Sequence, residues 1–297
     1  MNHNKRIFAL GFFDGVHRGH REILGRCMDL ALENGCGTAA ITFDRHPQSL
    51  LCSEPPKLLT TLEGRKSYLR HYWMDEVVVL PVCQEVMSTP WQDFLEQLLA
   101  MGAAGFVCGE DFRFGHRGEG DADKLRRFCA DRELPFYIVP EQCLDGIRIS
   151  STHIRGLIEA GRMEEARHFL GHPHSLLGQV VSGRHLGHQL GFPTANIEIP
   201  ENVVCPRRGV YACVACVEDV PPNYWAVTNI GSRPTVNGHQ VRAESWLLDF
   251  DGDLYGKQVE LFFCSFLRPE ERFESLDTLK AAVLKDAENT RKFFLKR

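Results

Sequence analysis

Short apolar runs and amphipathic segments alternate along the first half of the chain. Five apolar runs predict β-strands, at 6–13, 37–43, 76–82, 105–112 and 135–140. Between them, four segments carry apolar residues at helical spacing, at 19–33, 57–72, 91–102 and 121–134. Strand, helix and strand repeated four times predict right-handed crossovers and a parallel sheet. The first half is therefore predicted to be an α/β domain.

The pattern changes after Gly171, where short β-type segments are divided by glycine and proline. Before that point, 151–171 predicts two short helices separated at Ala160-Gly161, and 275–294 predicts a terminal helix capped by Ser275 or Asp277. The stretch LLDFDGDLYG (247–256) predicts a hairpin that turns at 251–253. A run of short strands closed by one helix predicts a β-barrel. We therefore predict two domains, 1–172 and 173–297.

Composition and charge narrow the class of protein. The chain has 297 residues, 43% of them hydrophobic, and a formal net charge of −5. No apolar run approaches the roughly 20 residues that a membrane span needs, and the N-terminus lacks the pattern of a signal peptide. The acidic balance and the lack of a long Lys/Arg stripe argue against a nucleic-acid surface. We therefore expect a cytoplasmic protein with no nucleic-acid partner and no membrane.

The eleven cysteines are expected to be free thiols, because the chain carries no export signal. Cys213 and Cys216 form a CxxC, but they lie in the alternating pattern of a predicted strand. Residues three apart on a strand point to opposite faces. A zinc or redox role for this pair is therefore disfavoured.

The segment GFFDGVHRGH (11–20) follows the first predicted strand and enters a helix. Its glycines, Gly11, Gly15 and Gly19, allow a tight turn and close backbone approach, and the helix N-terminus attracts anions. His17 and His20 could donate hydrogen bonds to phosphate oxygens. Plain packing of the two imidazoles and a metal site are the alternatives, and a metal site would need a further ligand. Phosphate contact is the favoured interpretation.

Three further segments give this region a family resemblance. ISSTHIR (149–155) precedes a helix, where Ser and Thr could be caps and Arg155 adds a cation one turn in. TFDRHPQSL (42–50) and GEDFRFGHRGEGD (109–121) lie between it and FDGVHRGH. Together, in this order, the four resemble the HxGH-type nucleotidylyltransferase superfamily, and in particular the adenylyltransferase module of prokaryotic bifunctional FAD synthetases. That resemblance implies a Rossmann-like fold of the nucleotidylyltransferase type.

The resemblance also implies a reaction, in which the phosphate of FMN attacks the α-phosphorus of ATP and pyrophosphate leaves. It implies catalytic roles for His17, His20 and Arg155. It implies ATP or phosphate contacts for Gly11, Phe13, Asp14, Gly15, His17, His20, Arg148, Ser151, Thr152 and Arg155. His46, Pro47, Asp111 and Phe114 would lie towards the flavin. Arg45 stands where the family more often has proline, and we expect it to face solvent rather than the phosphate of FMN.

The stretch of the second half with the most candidate functional residues is GRHLGHQLGFPTANIEIP (183–200). Its glycines and prolines prevent a long helix or a central strand, so they predict a loop of defined shape. Thr194 and Asn196 alternate with Ala195, so their side chains can face the same way. Their oxygens would suit Mg²⁺ beside nucleotide phosphates. Spacing alone favours the alternative, a turn stabilised by the two side chains.

GFPTANI resembles the PTAN signature of riboflavin kinases, and three later segments match that family in order. They are NIGSRPT (229–235), AESWLLDFDGDLYG (243–256) and LRPEERFESLDTLK (267–280). This resemblance implies a riboflavin-kinase-type β-barrel, with Glu244 as the general base that accepts the proton of the ribityl hydroxyl. It implies MgATP contacts for Thr194, Asn196, Gly187 and Gly191, with Thr194 and Asn196 as metal ligands, and flavin contacts for Arg268 and Glu271. Trp246 and His188 replace a histidine and an arginine that are common in the family.

Taken together, the resemblances predict a cytoplasmic bifunctional transferase that converts riboflavin to FMN and FMN to FAD. ATP is the co-substrate of both steps, and Mg²⁺ is the expected cofactor. The main alternative is an FMN adenylyltransferase whose kinase module is degenerate. A flavin-binding regulatory module and a tRNA-linked enzyme are disfavoured, the first because a binder needs no base and the second because the chain is acidic. The ligands expected are riboflavin, FMN, FAD and ATP, and a weak homo-oligomer is left open.

Overall fold

A computed structural model of the chain describes residues 5–50, 52–181, 192–235 and 238–296, without the side chains of 232–240. Within it the chain forms two compact units, 1–151 and 152–297. The predicted architecture is confirmed: a parallel α/β sheet is followed by a closed barrel and a terminal helix. The division into compact units falls after residue 151. The predicted domain boundary at 172/173 stays a prediction.

The first unit is built on a five-stranded parallel sheet in the order β3-β2-β1-β4-β5. Its strands are β1 (Arg6–Leu10), β2 (Gly37–Phe43), β3 (Glu76–Leu80), β4 (Ala103–Gly109) and β5 (Phe136–Val139). A two-stranded ribbon follows, β6 (Cys143–Leu144) and β7 (Ile147–Arg148). All five predicted strands are therefore confirmed. Chain order reverses between β1 and β4, which is the position where ligands bind in open α/β sheets.

Helices cover both faces of this sheet. They are α1 (Arg18–Glu33), α2 (Leu62–His71), α3 (Gln84–Met87), α4 (Trp91–Ala100) and α5 (Ala122–Ala130). The predicted helix at 57–72 begins five residues late. Thr61 ends the extended segment before it by accepting the N–H of Gly64 at 3.2 Å, so it is the N-cap.

Alternating residues of β1 pack against the helices on the two opposite faces of the sheet. Ile7 and Ala9 pack against α1, in one cluster with Leu24, while Phe8 and Leu10 belong to the opposite cluster, with α4. Strands buried on both faces are typical of parallel sheets. The rigid sheet therefore fixes where the loops at its carboxyl edge begin.

The second unit contains a closed six-stranded barrel in the order β10-β11-β12-β9-β8-β13. The strands are β8 (His174–Val181), β9 (Ala195–Glu198), β10 (Gly209–Val217), β11 (Val220–Thr235), β12 (Gly238–Leu247) and β13 (Gln258–Arg268). The helices are α6 (Ser151–Glu159), α7 (Met163–Leu170) and α8 (Leu276–Leu295). The break between α6 and α7 and the Ser275 cap of α8 were both predicted correctly.

One prediction for the barrel is wrong. The stretch 247–256 is not the turn of a hairpin, because β12 pairs with β11 and β9 whereas β13 pairs with β10 and β8. Residues 248–257 instead connect two strands that are not neighbours in the barrel. Gly252 lies in a bend, and the turns of this connection fall at 248–249 and 255–256. A local turn signal does not determine which strands pair.

The cysteines behave as predicted. All eleven are free, and the CxxC pair is split between a buried Cys213 and a partly exposed Cys216. Burial raises the pKa of the Cys213 thiol, which keeps it protonated and unreactive. No helix in the described part of the chain is long and apolar enough to cross a membrane.

Candidate active sites

A buried aspartate in the loop between β1 and α1 forms hydrogen bonds that fix the loop in place. Asp14 is 2% exposed, and its carboxylate accepts the backbone N–H of Leu59 at 2.8 Å and of Thr60 at 3.4 Å. Its carbonyl oxygen accepts the hydroxyl of Ser151 at 3.0 Å. Gly15 follows with a φ of 78°, a left-handed conformation that favours glycine. The predicted phosphate loop is thus fixed to Leu59 and Thr60 and to Ser151, which is the last residue of the first unit.

His17 and His20 lie face to face at the start of α1. Their ring centroids are 3.6 Å apart and their planes are 13° from parallel. His17 caps the helix, since its Nδ1 accepts the backbone N–H of His20 at 3.3 Å. The Nδ1 atom of His20 is buried and has no hydrogen-bond partner within the described ranges. The pair therefore stacks and caps the helix, and the Nδ1 of His20 stays available for a ligand.

The electrostatics of this pair favour a neutral His20. Its pKa lies well below the usual value, first because of burial and then because of His17 and the guanidinium of Arg65. A neutral imidazole still has one N–H to donate to a phosphate oxygen. It offers that hydrogen bond without a change in charge near pH 7.

The loop after β2 carries the predicted flavin-side residues. Pro47 begins a one-turn 3₁₀ helix, and the His46 ring stands edge-on to Phe12, with centroids 5.2 Å apart. The Arg45 side chain is 58% exposed and lies 3.7 Å from the carboxylate of Asp44. Its exposure fits the expected solvent-facing role.

The remaining predicted residues of the first site fall into three groups. Asp111 forms an ion pair with Arg148, which also contacts Glu141 at 2.9 Å. On α6, in the second unit, the guanidinium of Arg155 donates to the hydroxyl of Thr152 at 3.0 Å. Phe13 and Phe114 are buried in the core, at 0% and 5% exposure, along with Gly11. Their observed role is packing, so the predicted flavin contact of Phe114 stays a prediction.

The second unit contains a cavity of about 660 Å³. Five of the predicted kinase residues line it: Thr194, Asn196, Glu244, Arg268 and Glu271. Small-molecule sites have volumes of about 300–1,000 Å³, so the cavity is large enough for a drug-sized ligand. The barrel thus brings together residues that lie 77 positions apart in the sequence, from 194 to 271.

Glu244 sits between two amide side chains. On β12 it is directly opposite Asn196 of β9 on one side and Asn229 of β11 on the other. All three line the cavity. Asn229 was not among the predicted site residues, although it begins the NIGSRPT segment. The register across three strands places it beside Glu244, which the NIGSRPT motif alone did not indicate.

Asn196 presents an unused oxygen in this cavity. The residue is 3% exposed, its Nδ2 donates to the carbonyl of Thr194 at 3.3 Å, and its Oδ1 has no hydrogen-bond partner among the residues that the structure describes. An unpaired buried acceptor is costly unless a ligand satisfies it. Hard cations such as Mg²⁺ prefer oxygen ligands of this kind. The donor set therefore fits the predicted metal.

Arg268 is fixed in place by the terminal helix. Its Nε and Nη2 form a fork on the carboxylate of Asp286, at 2.8–3.1 Å, and Asp286 is almost completely buried. Glu271 lies 3.7 Å from the same guanidinium. Asp286 was not predicted, because on the sequence it is one polar residue of an amphipathic helix.

Trp246 also lines the cavity, with its ring 5.4 Å from that of Phe192. The tryptophan therefore belongs to the apolar wall of the site. Gly187, Gly191 and His188 lie outside the described residues.

Fold and family matches together define a two-module, ATP-dependent transferase. Comparison with known proteins identifies the modules: the FAD synthetase family model matches 1–153, and the riboflavin kinase (flavokinase) model matches 170–294. The second match favours two modules over a degenerate kinase.

Relatives with both modules align over nearly the whole chain. A bifunctional riboflavin kinase/FMN adenylyltransferase of Listeria monocytogenes is 35% identical over 98% of this chain and 93% of its own length. Its counterpart in Escherichia coli K12 is 36% identical over 97% and 92%. A solved structure described as a macrolide-efflux protein of Streptococcus pneumoniae is 28% identical, with a TM-score of 0.86 over 97% of this chain and 94% of its own. The chain belongs to the bifunctional riboflavin kinase/FMN adenylyltransferase family.

Proposed function

We propose that the second unit phosphorylates riboflavin to FMN and that the first unit adenylylates FMN to FAD, with ATP as co-substrate of both steps. The observation that carries this proposal is the position of Glu244, which lies between Asn196 and Asn229 in a cavity of about 660 Å³. A carboxylate there can orient and deprotonate a hydroxyl, which a protein that only binds flavin does not need.

In the kinase step, Glu244 accepts the proton of the terminal hydroxyl of riboflavin as that oxygen attacks the γ-phosphorus of ATP and ADP leaves. Trp246 and Phe192 offer an apolar wall for the flavin ring, and Arg268 offers a fixed positive charge. We assign the flavin contacts to Arg268 and Glu271.

The hydroxyl of Thr194 and the Oδ1 of Asn196 would hold Mg²⁺ in this site. When bound, the ion neutralises charge on the ATP phosphates. The unpaired, buried Oδ1 of Asn196 supports this assignment.

In the adenylyl-transfer step, a phosphate oxygen of FMN attacks the α-phosphorus of ATP, and pyrophosphate leaves. Little covalent help is needed, so alignment and charge neutralisation dominate. His20, kept neutral by burial, donates to a phosphate oxygen, and the N-terminus of α1 adds its positive dipole. Arg148 and Ser151 are the further phosphate ligands that we assign within the first unit, and His46, Pro47 and Asp111 the flavin-side ones. The roles of Thr152 and Arg155 stay predictions.

The test assays the two steps separately in Glu244→Gln and His20→Gln. Glu244→Gln keeps the size of the side chain but removes the base, so riboflavin phosphorylation should fall by about 100-fold or more. FMN adenylylation by the same sample should stay within about twofold of wild type. His20→Gln should show the reverse. Wild type that makes FAD from FMN, but no FMN from riboflavin, would instead support the degenerate-kinase alternative.

A further inference from the structure

A buried cation lies beside the adenylyl-transfer loop, and neither the sequence motifs nor the proposed mechanism uses it. Arg65, on α2, is 0% exposed. Its Nη2 donates to the carbonyl of Phe43 at 2.5 Å, and its guanidinium stands 4.4 Å above the centroid of the Phe12 ring. Its Nε and Nη1 are buried and find no hydrogen-bond partner in the described part of the chain.

Stability alone does not explain this arginine. A buried charge with unsatisfied N–H groups costs free energy, and apolar residues of similar volume often replace such groups without loss. Burial lowers the pKa of Arg65 to about 10, against the opposing effect of Asp14 and Asp44. The guanidinium therefore keeps its charge at neutral pH. Ionisable groups whose pKa is shifted by burial and nearby charges concentrate at functional sites.

The contacts of Arg65 join the two loops of the proposed adenylyl-transfer site. Phe12 follows β1 and leads into Asp14 and His17, and its carbonyl accepts the hydroxyl of Thr42 at 2.8 Å. The same Phe12 ring meets His46, in the loop after β2, at 5.2 Å. Phe43, whose carbonyl Arg65 binds, is the last residue of β2. The guanidinium thus contacts the chain at the end of both strands.

We propose that Arg65 is a positioning residue for adenylyl transfer, which rests on the function proposed above for the first unit. The guanidinium clamps Phe12 to the end of β2 and so fixes the spacing between the phosphate loop, 14–20, and the His46 loop. It acts through these neighbours, because a completely buried side chain cannot touch a substrate.

The spacing matters because attack by one phosphate on another requires the two to be in line. A misplacement of about 1 Å can cost on the order of 100-fold in rate. The charge contributes as well: the positive field of Arg65 is one cause of the lowered pKa of His20. Loss of Arg65 should therefore lower turnover more than it weakens substrate binding.

The experiment compares wild type with Arg65→Met, Arg65→Lys and Phe12→Leu in FMN adenylylation, with kcat and KM measured separately. Arg70→Met is the matched control, because Arg70 is an exposed arginine on the same helix. Thermal unfolding of each variant is recorded alongside. We expect Arg65→Met to lose about 100-fold in kcat with little change in KM for ATP. Its unfolding temperature should fall only slightly, because loss of the hydrogen bond to the Phe43 carbonyl and of the contact with the Phe12 ring is offset by removal of a buried charge.

Arg65→Lys, which keeps the charge but loses the planar fork, should retain more activity than Arg65→Met. Phe12→Leu should lower kcat in the same way, because it removes the ring that Arg65 clamps. A folded Arg65→Met with wild-type kcat would overturn the proposal. If Arg65→Met does not fold, the test rests on Arg65→Lys and Phe12→Leu. Wild-type kcat in both of these variants would also overturn the proposal. Wild type that makes no FAD from FMN would instead refute the proposed function itself.

Discussion

Trp73 adopts a backbone conformation that is unfavourable for a bulky residue. It follows the C-cap of α2 with a φ of 58°, in the left-handed region. The Trp73 N–H bonds the carbonyl of Arg70 at 3.0 Å and the Met74 N–H bonds that of Leu69 at 3.2 Å, which is the Schellman motif that usually carries glycine. The side chain is 70% exposed, so packing offsets little of this strain.

Trp73→Gly should therefore stabilise the first unit. Removing the Cβ relieves a left-handed conformation that costs about 1–2 kcal/mol, and the extra freedom of glycine in the unfolded chain cancels part of the gain. We expect the free energy of unfolding, measured by urea titration, to rise by about 1 kcal/mol. Trp73→Ala keeps the Cβ and is the control. A glycine variant no more stable than the alanine variant would contradict the account of strain.

His174 makes the stability of the second unit depend on pH. It lies at the start of β8, 2% exposed, and burial together with nearby His172 lowers its pKa to about 3. In the unfolded chain the pKa is about 6.5, so below pH 6.5 the unfolded state binds a proton that the folded state does not. The contribution of neutral His174 is thus complete above pH 6.5 and is lost as the pH falls towards 3.

We expect the free energy of unfolding to fall by up to about 1.4 kcal/mol for each pH unit below 6.5 through this group. His174→Gln does not titrate and should flatten the slope between pH 6.5 and 4.5. Urea unfolding at several pH values measures both slopes. Equal slopes in wild type and variant would show that His174 is not the titrating group.

At the scale of elements, two arginine–aspartate pairs tie α8 to the barrel. Arg268 of β13 meets Asp286 of α8 with side-chain exposures of 20% and 4%. Arg291 of α8 meets Asp249 with exposures of 41% and 71%, at two distances of 2.7 Å. The two pairs have similar geometry and differ mainly in burial. Comparing substitutions in them therefore measures the effect of burial on the stability of an ion pair.

Asp286→Asn should cost about 3 kcal/mol, because it leaves the Arg268 charge partly buried without its partner. Asp249→Asn should cost less than about 1 kcal/mol, since solvent replaces an exposed ion pair. Chemical unfolding measures both. Asp286→Asn should also raise KM for riboflavin, because Arg268 lines the cavity. Equal costs for the two variants would contradict the role given to burial.

The hydrophobic pattern predicted the elements better than their pairing. Strand and helix positions in the first unit follow from local periodicity, and sequential βαβ connections then fix the sheet. The barrel closes through β8–β13 and β9–β12, pairs between distant segments, so no local signal could exclude the wrong hairpin at 247–256. Thr61, a good N-cap inside an apolar stretch, shows how one side chain moves a helix start.

The residues of the candidate sites also fall into two groups, those that sequence motifs predicted and those that only the structure identified. Glu244, Thr194 and Asn196 lie in recognisable motifs, and the barrel brings them to one cavity. Asn229 and Asp286 required the three-dimensional structure. Asn229 lies in a motif that does not show which residue it faces, and Asp286 is one polar residue of an amphipathic helix. Arg65 could not be predicted from the sequence either, because an arginine on a helix is usually exposed.

At the scale of the whole molecule, the central claim is that two chemistries occupy two sites in one chain. Glu244 lies in the second unit, and His20 in the first. If each site works alone and FMN can leave one molecule and enter another, a chain defective in one site should be complemented by a chain defective in the other. A single shared site would make both steps fail together.

The most direct measurement mixes equal amounts of purified Glu244→Gln and His20→Gln with riboflavin, Mg²⁺ and ATP, and follows FMN and FAD by chromatography. We predict that Glu244→Gln alone leaves riboflavin unchanged, that His20→Gln alone accumulates FMN, and that the mixture makes FAD. A mixture that makes no FAD, although each variant retains its own half-reaction, would show that FMN does not pass between molecules. Loss of both half-reactions in either folded variant would contradict the two-site account.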